Sequence, residues 1–206
     1  MARTRASAKK AGTAFETAVC DYLKEKTGFP IMRMPKSGAV DKGDIFGVQF
    51  QGKNVAIECK NPGEKSRWSL SGWWNETITE IDNFYAYCGV LMIRKFRKPL
   101  EQSYCIFNEE QAQLIGINHE DLPITRVKGN SKWKDLVVDD TIMKFPMVGN
   151  NDHWIVMTLE NFSSYIDRIT ESPIIEMSLD DISKLVDNRE YLGHTVDGKE
   201  IMINVI

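Results

Sequence analysis

Apolar Phe15, Val19, Tyr22 and Leu23 recur at three- and four-residue spacing, which predicts a helix from Gly12 that Gly28 ends. Ahead of it, residues 2–10 are small and basic with no period and read as a flexible arm. Residues 29–43 carry Pro30, Pro35, Gly38 and Gly43, a loop with room for a short strand at 31–34. Two runs of β-branched and aromatic residues then flank Gln51-Gly52-Lys53, from Asp44 to Phe50 and from Asn54 to Lys60, predicting a β-hairpin. Asn61-Pro62-Gly63 breaks the second strand. A helix over 73–87 follows, with Trp74, Ile78, Ile81, Phe84 and Tyr85 on one side. Next come a buried strand at 90–93 and strands at 104–107 and 153–158, with a helix over 159–169. Residues 108–150 mix polarity with scattered Gly and Pro and read as an irregular insertion; in the stretch 191–206, Asp197-Gly198 between apolar runs signals a terminal hairpin.

With strands and helices alternating, the expected fold is α/β: a mixed sheet of four or five strands with helices on both faces. The 206 residues divide into a basic arm (1–10), a central domain (11–170, with 108–150 inserted) and a C-terminal extension (171–206). No apolar run reaches the roughly 18 residues that span a bilayer, and no apolar core follows the basic N-terminus, so a cytoplasmic location is expected. Cys20, Cys59, Cys88 and Cys105 are scattered among apolar residues, the pattern of reduced, buried thiols.

The net charge of −3 hides an asymmetry. Residues 1–100 carry 17 Lys and Arg against 10 Asp and Glu, whereas 101–206 carry 9 against 19. The basic half suits a polyanionic partner or is simply a solvated surface.

The hairpin gathers the chemistry. Centring its turn near Gly52 sets Asp44 opposite Lys60 and Phe46 opposite Glu58, leaving Asp44 beside or diagonal to both. Alternation puts Glu58 and Lys60 on one face and Ile57 and Cys59 on the other. Two carboxylates with an ammonium suit Mg²⁺, which prefers oxygen ligands and keeps several waters. The lysine can orient or deprotonate the water that attacks a phosphodiester. The same pattern also describes a surface hairpin whose Glu and Lys merely pair across strands.

The wider series decides between them. Gly12-Thr-Ala-Phe-Glu16, Gly28-Phe29, Arg33, Ser37-Gly38, Gly43-Asp44-Ile45 and Ile57-Glu58-Cys59-Lys60 occur in one order at compact spacing. This resembles the archaeal and phage Holliday-junction resolvases of the PD-(D/E)XK superfamily, over roughly residues 10–107 and again at the strand and helix over 154–165. The resemblance implies a restriction-endonuclease-like sheet and Mg²⁺-dependent DNA cleavage (Mn²⁺ substituting), on four-way or branched DNA, by a homodimer. It implies host cytoplasm as the location if the chain is phage-encoded. Asp44, Glu58 and the Cys59 carbonyl would hold the metal, Lys60 would act on the water, and Glu16 would be an accessory carboxylate. Ser37 would touch the scissile strand, or else cap its turn. Arg33, Lys36, Lys42 and Arg67 would meet phosphates. Gly43 departs from the proline of the superfamily's name, and the glutamine many relatives carry in the next helix is missing, with Glu76 and Glu80 as candidate substitutes. Trp68, Trp73 and Trp74 either stack on splayed bases or fill a core or dimer interface. Alternative functions are another DNA endonuclease or exonuclease of this superfamily, in repair or restriction, and a catalytically idle DNA-binding protein.

Overall fold

A computed structural model describes residues 4–34, 43–64, 66, 68–125, 141–147 and 152–168, and the backbone of 190–194 and 200–204. The chain separates into two units, Met1–Arg168 and Ile169–Ile206. In the second, β9 (Glu190–His194) and β10 (Glu200–Asn204) pair antiparallel, as expected for a terminal hairpin.

The first unit opens with α1 (Arg5–Thr27), so most of the expected arm is helical. Thr4 caps it by accepting a hydrogen bond from the Ser7 amide, and the Ala, Lys and Arg that follow are good helix formers. Residues 5–10 are exposed all round, which is why no apolar period marked them. Farther on, α1 buries Phe15, Val19, Cys20 and Leu23, and Gly28 closes it in the left-handed region.

One sheet organises the unit. Its strands are β1 (Met32–Arg33), β2 (Ile45–Phe46), β3 (Gln49–Phe50), β4 (Lys53–Lys60), β5 (Cys88–Ile93), β6 (Tyr104–Asn108), β7 (Met143–Pro146) and β8 (His153–Thr158). The order is β1-β2-β4-β5-β6-β8-β7, with β3 also on β4. Eight strands replace the expected four or five, because short pieces at both ends add to the sheet. Among the described strands β4 and β5 are the parallel pair, joined over one face by α2 (Leu70–Phe84). A strand covered on both sides is apolar throughout, as β5 is. Its Cys88, Val90 and Met92 face the larger core with α1, while Leu91 and Ile93 face a second core with Leu70 and Trp74 of α2.

Part of the expected insertion falls among the described residues. It begins with α3 (Glu109–Leu114), capped by Asn108, and ends in the edge strand β7. Lys144 of β7 reaches Glu109, which also faces His153 and His119. The helix expected over 159–169 is only α4 (Leu159–Phe162). The Ser163 and Ser164 hydroxyls donate back to the carbonyls of Glu160 and Asn161, competing with helix propagation. The chain then turns so that both Asp167 carboxylate oxygens accept from the Gln51 and Gly52 amides, bracing the hairpin turn.

All four cysteines are buried and free. Trp74 is core and meets Trp154 edge-on, while Trp68 and Trp73 pack against the same cluster. Among the described residues, no helix is long and apolar enough to cross a membrane.

Candidate active site

The hairpin turn sets the site. Phe50 pairs with Lys53, so the turn is Gln51-Gly52, both with positive φ, the two-residue form that matches strand twist. Its centre lies half a residue before Gly52. Beyond Gln49–Asn54, the Val48 carbonyl accepts from the Val55 amide, and the ladder resumes at Ile45–Ile57. Four residues on one side oppose three on the other. This is a one-residue bulge at Gly47, whose φ of +96° favours glycine. Turn and bulge together shift the register, so that Asp44 stands opposite Glu58 and not Lys60, correcting the expected pairing.

Asp44 is held at several points. Its amide donates to the Ile57 carbonyl at 2.9 Å, and its Oδ2 accepts from the Cys59 amide at 2.9 Å. Burial, with the Glu58 carboxylate beside it, pushes its pKa up to about 7 despite the Cys59 amide, which pulls the other way. Gly43 enters this position with φ +93°, where a Cβ would come within 3.2 Å of the Ile57 carbonyl oxygen. Proline is fixed near −65° and cannot take that conformation. Gly43→Pro is therefore expected to destabilise the metal-free protein by more than the ~1 kcal/mol that such backbone changes give where they fit, and so to lower its thermal midpoint. Calorimetry checks this, and an unchanged midpoint would contradict it.

Glu58 is 6% exposed, and Lys60 forms ion pairs with it and with Glu76 of α2. Burial draws the Lys60 pKa down, but the two carboxylates outweigh it and leave the ammonium raised. Glu76 was foreseen only as a substitute for the missing glutamine, yet it lies on the catalytic lysine candidate. Glu80, one turn on, is 2% exposed, with Oε2 3.4 Å from where a Gly43 Cβ would stand. Helical i, i+4 spacing was the signal for both.

Glu16 is buried on α1, and its Oε2 accepts from Arg33 Nε at 3.0 Å and Nη2 at 2.5 Å. Its charge still acts on Asp44. Arg33 is thus committed to a carboxylate where a phosphate contact was expected. Ser37, Lys36, Lys42 and Arg67 lie outside the described residues.

Among the described residues, no three His, Cys, Asp or Glu side chains are grouped to hold a metal. The available donors are the Asp44–Glu58 pair and the Cys59 carbonyl; the Cys59 thiol is buried, and burial pushes its pKa up. That set fits a hard divalent cation which keeps most of its waters, since Mg²⁺ commonly takes only one or two carboxylates. Burial, and then Glu58 beside it, disfavour the charged form of Asp44, so a cation between the two carboxylates would stabilise both as anions.

Over residues 7–170 the chain matches the family described as "Phage putative PDDEXK endonuclease". The chain belongs to this endonuclease family. Membership identifies a nuclease of the PD-(D/E)XK superfamily and agrees with the mixed sheet flanked by helices. The match spans the hairpin, α2 and the strands through β8, the elements that carry Asp44, Glu58 and Lys60. No curated protein and no solved structure matches the chain.

Proposed function

We propose that this endonuclease is Mg²⁺-dependent and cuts branched DNA, with the four-way junction its preferred substrate and a homodimer its working form. The observation that carries the reading is the buried Asp44–Glu58 pair with Lys60 beside it on one hairpin. Asp44 and Glu58, with the Cys59 carbonyl, would hold Mg²⁺. When bound, Mg²⁺ supplies Lewis-acid stabilisation of the charge that builds on the phosphate. Lys60, paired with Glu58 and Glu76, is placed to act on the attacking water, orienting or deprotonating it. Glu76 steadies the lysine, and Arg33 keeps Glu16 in place as an accessory carboxylate beside Asp44.

Two-fold pairing is the common way to present two identical sites, as resolving a junction requires. Trp74 and Phe84 are engaged within the chain, Phe84 against Phe46. Exposed apolar side chains favouring a dimer include the cross-strand pair Met32 and Phe46, and Tyr85 just past the end of α2.

The test combines sedimentation with cleavage of a four-way junction and a matched linear duplex, in Mg²⁺, Mn²⁺, Ca²⁺ or chelator. The expected result is a dimer that cuts the junction in Mg²⁺ or Mn²⁺, binds without turnover in Ca²⁺, and is inert in chelator. A monomer cutting both DNAs equally would leave a general repair or restriction nuclease. DNA binding without cleavage in any metal would leave an idle DNA-binding protein.

A further inference from the structure

Immediately after β5 the chain reads Arg94-Lys95-Phe96-Arg97-Lys98, four cations around one aromatic ring. This loop sits at the active end of the sheet. Lys60 pairs in register with Ile93, and the Arg94 amide donates to the Lys60 carbonyl at 2.9 Å. The Arg94 guanidinium is spent on the loop itself, donating to the carbonyls of Lys95 at 3.1 Å, Pro99 at 3.0 Å and Lys98 at 2.6 Å. It therefore shapes the loop and leaves outward contacts to its neighbours.

Against this loop lies a cleft of about 150 Å³, bordered by Pro62, Gly63, Glu64, Trp68, Lys95 and Phe96. A cavity of that order accepts a benzene-sized ring. Phe96 is 39% exposed, with the Arg97 guanidinium 5.0 Å from its ring centre. Lys95 is only 7% exposed and stands 5.0 Å over the Tyr104 ring. Burial, then the charge of Lys98, holds the Lys95 pKa below the ordinary lysine range. A phosphodiester arriving here would place an anion beside Lys95 and Lys98 and offset the repulsion between them.

We propose that this cleft beside Lys60 receives an unpaired DNA base, stacked between Phe96 and Trp68, with its phosphates on Lys95, Arg97 and Lys98. Aromatic walls set into a cationic groove are the general means of holding single strands, because every base has a π-face. Glu64, the carboxylate at the rim, keeps the backbone on the side of the cations. The assignment rests on the nuclease reading and deepens it, since it favours DNA that can unpair a base next to the cut, as at a branch point, over continuous duplex.

The experiment compares binding of a labelled duplex carrying a single-stranded thymidine tail with that of the blunt duplex, in chelator so that no turnover intervenes. Phe96→Ala should lower the tailed-to-blunt affinity ratio by about tenfold, within the ~5 to 150-fold that one stacked base contributes. Phe96→Tyr, which keeps the ring, should restore the ratio. A ratio unchanged in Phe96→Ala, or lost equally in Phe96→Tyr, overturns the subsite while leaving the nuclease reading intact. Selective loss in a protein that cuts nothing in Mg²⁺ supports the subsite and sinks the nuclease reading. Absence of DNA binding by the wild type overturns both.

Discussion

Glu58→Gln, Asp44→Asn and Lys60→Ala should each reduce DNA cleavage by at least about a thousandfold, while DNA affinity stays within a fewfold of wild type. Glu58 and Asp44 face each other across the hairpin, so neutralising either removes half of the carboxylate charge available to a cation. Lys60 lies between Glu58 and Glu76. Its removal leaves Glu58 without its counter-ion and the attacking water without a donor. Phosphate contacts elsewhere are untouched, so binding persists. Lys60→Arg separates charge from geometry: if a cation alone sufficed, it would retain near-normal rates, whereas a need for a compact ammonium predicts a large loss. Cleavage time courses alongside binding titrations read both effects. Near-normal cutting by any one of the three variants would remove that residue from the catalytic role.

Asp44→Asn should also make the metal-free protein more stable, and only above acidic pH. Burial and Glu58 raise the Asp44 pKa from 3.8 to about 7, so the folded chain holds this proton more tightly than the unfolded chain does. The associated stability is fully present below about pH 4 and is lost as pH rises through about 7. At one pKa unit per 1.36 kcal/mol, the loss at pH 8 is about 4 kcal/mol at most. Asparagine can keep the acceptor for the Cys59 amide and offer Glu58 a donor, without the charge. Melts in chelator should place Asp44→Asn about 4 °C or more above wild type at pH 8 and level with it at pH 4. Added Mg²⁺ should raise the wild-type midpoint at pH 8 and leave the variant's unmoved, because only the wild type has the pair that takes a cation. An equal offset at both pH values would show that the Asp44–Glu58 repulsion is not its origin.

That Asp44, Glu58 and Lys60 share one hairpin was legible in the chain because their order and spacing are local. Period-two alternation puts Glu58 and Lys60 on one face whatever the fold does elsewhere. The apolar run of β5 and the four buried thiols follow from composition in the same way, whereas Tyr85, expected on the apolar side of the helix, lies past its end in the left-handed region and is 94% exposed. Register did not follow. Alternation assigns a face but leaves the offset open, and here the offset came from a positive-φ turn braced by Asp167 and a bulge at Gly47. Nor could the chain announce that Arg33 would close on Glu16 from 17 residues away, or that Glu76 would reach Lys60 from the next helix. The first turns of α1 were missed for the opposite reason: they form on propensity and a Thr4 cap, with no apolar face to leave a period. Sequence by itself determined which strand carries the candidate carboxylates and lysine, and which of them share a face. Tertiary structure alone decided which carboxylate faces which, because that depends on where a turn is centred and what packs behind it.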